Sequence, residues 1–203
     1  MRLWGMLPIL FVSACGDDGG SSGSDGSMTT GDSGGSSGSD AAMMIDAAPI
    51  VGEPPELVGI TEAHNVVRAM VQHQTPLPPL AWSDALEATA KAWGMMCINN
   101  DAYPNILDHN PNRGAGHPYS VGENIYASGG TATAAGAVQS WASEKANYVY
   151  PNGYSAATGH YTQIVWRTTR EVGCARVNCP SITYSSTIIC NYGPSGNSGG
   201  PPY

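Results

Sequence analysis

Gly159-His160-Tyr161-Thr162-Gln163-Ile164-Val165-Trp166 is the stretch from which the rest of the chain can be read. It continues through Arg167 to Val172-Gly173-Cys174-Ala175-Arg176-Val177-Asn178-Cys179. The run opens polar and closes apolar. Ile164, Val165 and Trp166 are β-branched or aromatic, which predicts a buried strand over residues 164–167. His160 then stands at the mouth of an apolar element, where a ring nitrogen can face a cleft. Tyr161, Thr162 and Gln163 add three hydrogen-bonding side chains beside that titratable imidazole.

Downstream, strands are expected near 172–177 and 186–192, with Cys179-Pro180-Ser181 helping to turn the chain between them. Upstream, three helices are expected. The first covers about 57–74, because Ile60, His64, Val67 and Val71 recur at three- and four-residue spacing. His64 on that stripe reads as a packing or hydrogen-bonding residue. Pro76, Pro78 and Pro79 end the helix. Ser83 can cap the second helix, with Asp84 and Glu87 in its first turn and Leu86, Ala90, Trp93 and Cys97 as its apolar stripe. Trp93, Met95 and Met96 read as core. Thr131 or Thr133 starts the third helix, which runs to about Tyr148 with Ala134, Val138, Trp141 and Lys145 on one face. Helices followed by three strands make an α+β fold. A long polar loop, 98–119, carries His109 and His117; loops of that length inside a domain are commonly functional.

Composition narrows the function. The net charge is -8, with charged residues at 12%. Such a balance argues against a nucleic-acid partner, since phosphate needs a basic face. Residues 53–203 suffice for one domain. Four of the five cysteines lie there, and an even set in an exported chain reads as disulfides; the sequence alone leaves three connectivities open. Cys15 stands apart. Residues 1–15 carry Arg2 and then an apolar run too short to span a membrane but suited to a signal peptide. Val12-Ser13-Ala14-Cys15 resembles a bacterial lipobox, which implies lipidation of Cys15 and a membrane anchor. Residues 16–52 are mostly Gly, Ser and Asp, and are expected to be a disordered spacer. Two Gly-x-Ser-x-Gly matches around Ser21 and Ser36 lack the strand and helix that a nucleophile elbow needs.

The opening run resembles the Gly-His-[Tyr/Phe]-Thr-Gln-[Val/Ile]-Val-Trp signature of the CAP family: cysteine-rich secretory proteins, antigen 5 and plant pathogenesis-related proteins. A second signature follows at Cys190-Asn191-Tyr192-Gly193-Pro194-Ser195-Gly196-Asn197. Pro79-Leu80-Ala81-Trp82, Gly122-Glu123-Asn124 and Trp141-Ala142-Ser143-Glu144 resemble further family motifs. The resemblance covers about residues 60–203 and implies a three-layer α-β-α sandwich. It implies disulfides Cys97–Cys179 and Cys174–Cys190, whose loops contribute roughly 4.5 and 3 kcal/mol in the chain-entropy model. A further family cysteine, directly before Gly159, is replaced by Thr158, so the loop ahead of His160 is expected to be looser.

The resemblance also implies that His109, Glu123, Glu144 and His160 meet in one cleft, with His109 and His160 able to bind zinc. His109 lies fourteen residues before Glu123, and His117, six before it, is the rival. The His109-Asn110-Pro111-Asn112-Arg113 context favours His109. Two His ligands alone make a weak metal site, since catalytic zinc commonly has three protein ligands. The competing reading is a hydrogen-bonded brace. Members of the family are linked to lipid or sterol binding, defence, toxins and proteolysis. The expectation is an envelope-tethered, non-enzymatic module for a hydrophobic small molecule such as a sterol or fatty acid. The alternatives are a zinc-assisted peptidase with Glu144 or Glu123 as general base, and a protein-interaction or defence-like factor. The stretch 190–203 resembles a plant C-terminus that is released as a peptide; here it reads as the last loop of the fold.

Overall fold

A computed structural model of the chain describes residues 52–100 and 105–203. The signal-like segment, Cys15, the two Gly-x-Ser-x-Gly matches and nearly all of the expected spacer lie outside those residues. The helices are α1 (Ile60–Ala69), α2 (Asp84–Gly94), α3 (Ala134–Ser143) and α4 (Gly159–Ile164). The strands are β1 (Ala81–Trp82), β2 (Gly122–Ser128), β3 (Glu171–Asn178) and β4 (Ser186–Gly193). They form one sheet in the order β1-β3-β4-β2. β3 and β4 are antiparallel with Cys174 opposite Cys190, and β2 runs antiparallel to β4 with Glu123 opposite Asn191.

The two-residue period of the strands explains the layers. Val172 and Cys174 of β3 and Ile188, Cys190 and Tyr192 of β4 join Ile60, Val138, Trp141 and Ile164 in one core. Ala175, Val177 and Ile189, the alternate residues, join Ile125, Ala90 and Trp93 in the other. The sheet is therefore covered by α1, α3 and α4 on one face and by α2 on the other: the α-β-α sandwich expected from the sequence. Gly173 makes the second contact possible. A Cβ there would lie 2.3 Å from the Glu87 nitrogen and 2.4 Å from the Ser83 carbonyl oxygen. The first turn of α2 thus rests on strand backbone, a closeness that only glycine permits.

Several local expectations need correction. Residues 164–167 are not a strand. Gly159–Ile164 is helical, and Val165 N still donates to Tyr161 O. A four-residue apolar run is equally at home in a buried helix turn, and here the buried Arg68 fixes that outcome. Its guanidinium donates to the carbonyls of Ile164 (2.7 Å), Trp166 (2.9 Å) and Pro78 (2.6 Å), capping the end of α4. Ala81–Trp82 and Gly122–Ser128 are strands, so that with 164–167 withdrawn there are four strands rather than three. Met95 and Met96 are surface residues, 69% and 55% exposed, because α2 ends at Gly94. The first helix is shorter than 57–74. The third ends at Ser143 and tightens into a 3-10 turn, Glu144–Asn147. Thr133 caps α3 by accepting from Gly136 N, whereas the Ser83 side chain makes no such bond at α2.

The disulfides are Cys97–Cys179 and Cys174–Cys190. The first ties the end of α2 to the turn after β3, and the second links directly opposed residues of β3 and β4.

Candidate functional site

Two histidine–carboxylate pairs stand at one edge of the sandwich. Glu123 is the second residue of β2, and its side chain is wholly buried. Its Oε1 accepts from His109 Nδ1 at 2.7 Å and from Asn110 N at 2.9 Å. Its Oε2 accepts from Asn191, directly across the strand pair, at 3.2 Å in the amide orientation that also lets Asn191 accept from Ala90 N. Gly122 is needed beside it, since a Cβ there would meet Gln163 Oε1 at 2.0 Å.

The second pair is built at the start of α4. Glu144, just past α3, accepts from His160 Nδ1 at 2.6 Å through Oε1. Its Oε2 takes the backbone N–H groups of His160 (2.9 Å) and Tyr161 (3.1 Å). One carboxylate thereby caps α4 and aims the His160 ring. Trp141, one turn before Glu144, lies nearly parallel to that ring at 6.3 Å between centroids. Thr158, in the place of the family cysteine, is buried; its Oγ1 accepts from Ser155 N at 2.9 Å, and its carbonyl accepts from Thr162 N.

His109, Glu123, Asn124, Gly159 and His160 line one cavity of about 360 Å³, with Tyr154 and Asn197 on its rim. A neighbouring hollow of about 470 Å³ shares His109 and Glu123 and adds Arg113, Ser120 and Gln163. Of the four expected residues, His109, Glu123 and His160 line the first cavity, and Glu144 does not line it but holds the His160 ring. His117 is elsewhere: its Nε2 meets Thr89 Oγ1 of α2, and its ring stacks on Tyr119.

In both pairs Nδ1 is committed to a carboxylate, and no other described residue bonds either Nε2. A ring held this way has Nε2 as the one nitrogen left to ligate a metal. The donor set therefore fits a divalent cation. Among the described residues, however, no three His, Cys, Asp or Glu side chains converge as metal ligands. Two imidazoles with water completing the shell would make a weak site.

Behind the cleft runs a buried polar chain that the sequence did not announce as such. His64 Nδ1 faces the Ile60 carbonyl at 2.7 Å, which can only accept, so Nδ1 carries the proton. His64 Nε2 must then accept from the Tyr192 hydroxyl at 2.8 Å. Asn124 Nδ2 donates to that hydroxyl at 3.1 Å and to the His160 carbonyl at 3.2 Å. Burial, outweighing the Ile60 bond, lowers the His64 pKa to about 4, and the Arg68 charge pushes the same way. Burial also raises the Tyr192 hydroxyl well above its usual value. Asn191 and Tyr192 both belong to the Cys190-Asn191-Tyr192 run. Their roles follow from the strand period, which sends Asn191 toward Glu123 and Tyr192 toward His64.

The chain matches the model of the CAP family, cysteine-rich secretory proteins, over residues 61–192. It is 40% identical over 137 residues to pathogenesis-related protein 1 of Arabidopsis thaliana, covering 66% of this chain and 74% of that one. It is 33% identical over 168 residues to venom allergen 5 of Vespa mandarinia, covering 72% and 78%. Among solved structures, venom allergen-like protein 4 of Schistosoma mansoni superimposes with a TM-score of 0.56 at 28% identity, covering 71% of this chain and 91% of that one.

Proposed function

The chain belongs to the CAP family of cysteine-rich secretory proteins, and from that premise we propose a non-enzymatic binding module that works outside the cell. In this reading it holds a hydrophobic small molecule, of the sterol or fatty-acid class, and its His/Glu cleft takes a divalent cation, zinc by donor chemistry, weakly. The observation that carries the binding reading is the state of the carboxylates. Glu123 and Glu144 each use both oxygens to hold a ring and a loop or helix end. A zinc-assisted peptidase needs a carboxylate placed to take a proton from water, whereas both of these are mainly engaged in holding a ring and backbone N–H or amide groups.

Two disulfides fit an exported protein. No helix among the described residues is long and apolar enough to cross a membrane. We further propose that Cys15 carries a lipid anchor and that the Gly/Ser/Asp-rich segment is the tether. Radioactive palmitate should label the wild type and not Cys15→Ser; an unlabelled wild type removes the anchor.

The binding reading is tested by native mass spectrometry of the protein from an oxidising compartment, beside His109→Ala and His160→Ala. A co-purifying lipid-sized mass that survives both substitutions supports it. Stoichiometric zinc lost in both variants, with no lipid and with peptide turnover, overturns it in favour of the hydrolase. The interaction reading finds no comparable support. The C-terminal stretch is packed into the fold, with Pro202 O accepting from Arg167 N at 2.7 Å and Tyr203 stacked on Tyr150.

A further inference from the structure

A third hollow shares none of its lining with the tetrad. It has a volume of about 430 Å³ and is lined by Ala88, Thr89, Ala92 and Trp93 of α2 and by Met96 just beyond it, with Asn110 and Asn112. Ala88, Ala92 and Met96 follow one another at four-residue spacing and form one stripe. With alanines for one wall, the groove has width that larger side chains would fill.

Its polar atoms are largely committed elsewhere. Thr89 Oγ1 donates to Ala85 O and meets His117 Nε2, which leaves the methyl group for the groove. Trp93 Nε1 donates to Asp108 O, which fixes the indole as a floor. Asn110 Oδ1 accepts from Asn112 N. What remains is the Asn112 amide and the Asn110 NH₂, which no other described residue bonds. No charged side chain lines the groove.

We propose that this groove seats the apolar chain of a small, uncharged amphiphile, whose hydroxyl or ester end meets the amides of Asn110 and Asn112. The proposal rests on the reading of the protein as a hydrophobic-ligand module and gives that ligand a place distinct from the tetrad. The occupant is a small molecule on grounds of size. Seven lining residues are far fewer than the roughly 20–30 a side of a stable protein interface. The volume falls within the roughly 300–1,000 Å³ of small-molecule sites. An uncharged end follows from the lining, because a carboxylate or ammonium would be partly desolvated with no counter-charge.

The test is calorimetric titration of the wild type with saturated 1-monoacylglycerols of increasing chain length. Each added methylene should tighten binding about fourfold until the groove is full, after which affinity should level off. Ala92→Trp and Ala88→Trp, on the exposed side of α2, should abolish that series while melting like the wild type. His160→Ala should leave it intact. A fatty carboxylate of matched length should bind at least about tenfold more weakly. An unchanged series in both tryptophan variants overturns the groove while leaving a hydrophobic ligand elsewhere on the protein. No binding by the wild type at any length overturns the groove, while the hydrophobic-ligand reading is then judged by whether a lipid-sized mass co-purifies. Equal or tighter binding of the carboxylate refutes the uncharged end.

Discussion

Acidification should unfold this domain partly through one residue, His64. The ring is fully buried and neutral, with Nδ1–H on Ile60 O and Nε2 receiving the Tyr192 proton. Its pKa falls from 6.5 to about 4 in the fold. Between those values the unfolded chain binds a proton that the folded chain refuses. Stability contributed by neutral His64 is therefore complete above pH 6.5, is lost as pH falls toward 4, and changes no further below that. A difference of that size is worth about 3 kcal/mol, or about 1.4 kcal/mol for each pH unit inside the window. The neighbours do not blur it. Arg68 keeps its charge, since its own pKa, lowered chiefly by burial and further by Arg170 and Arg167, is still about 10. Tyr192, raised further, stays neutral. The assay is urea unfolding by tryptophan fluorescence at steps between about pH 4 and 7.5, for the wild type and His64→Phe. Phe keeps the ring against Trp141 but cannot titrate. The variant should be less stable at neutral pH, because it strands the Tyr192 hydroxyl and the Ile60 carbonyl. The gap between the two proteins should shrink by about 3 kcal/mol as pH falls. A gap that stays constant across the window would refute the buried-neutral assignment.

Four other outcomes follow from specific contacts. Arg68→Ala should cost about 3–5 kcal/mol by chemical denaturation, since it leaves the Pro78, Ile164 and Trp166 carbonyls buried and bare; Arg68→Lys should recover part of it. Gly173→Ala should cost about 3 kcal/mol or more, because backbone of α2 stands on the contact and cannot yield like a side chain. Replacing Cys97 and Cys179 together by alanine should lower stability more than replacing Cys174 and Cys190, by about 1.5 kcal/mol, because 82 residues separate the first pair and 16 the second. Glu123→Gln should weaken zinc binding about 10–100-fold, read by competition with a chelating dye, while leaving the melting temperature nearly unchanged.

Much of the fold was legible because the motifs are complete. β3 and β4 lie close to the expected ranges, although both are buried on both faces and show no alternation, and His160, Glu123 and Glu144 were read from their motifs. The failures have physical causes. Ile164, Val165 and Trp166 look like a strand because a short apolar run carries no period. The helix is selected by Glu144 capping one end and Arg68 the other, and both partners are remote in sequence. β2 was missed because the polar Glu123 and Asn124 interrupt its apolar residues. Both are buried only because the fold supplies Asn191, His109 and Tyr192 as partners. Met95 and Met96 were placed inside on hydrophobicity alone, which is silent about where α2 ends. Sequence context favoured His109 over His117; in the structure His109 meets the Glu123 carboxylate and His117 meets Thr89.

The Glu123→Gln outcome bears on what the tetrad is for. As a brace, Glu123 has to accept His109 Nδ1–H and Asn110 N–H, and a glutamine oxygen accepts both. Its amide nitrogen faces Asn191, which can turn its own oxygen to receive it, at the cost of the Ala90 N–H bond. The brace should therefore survive nearly intact. As an orienter of a ligand, Glu123 does something more. Its negative charge, fully buried against the ring, favours a cation held at Nε2, and glutamine removes that charge while keeping the geometry. Stability and cation affinity should then separate in this one variant. Glu144 offers no such separation, because the same carboxylate also caps α4. Replacing it would loosen the helix along with the ring, and lost affinity there would report on neither role alone.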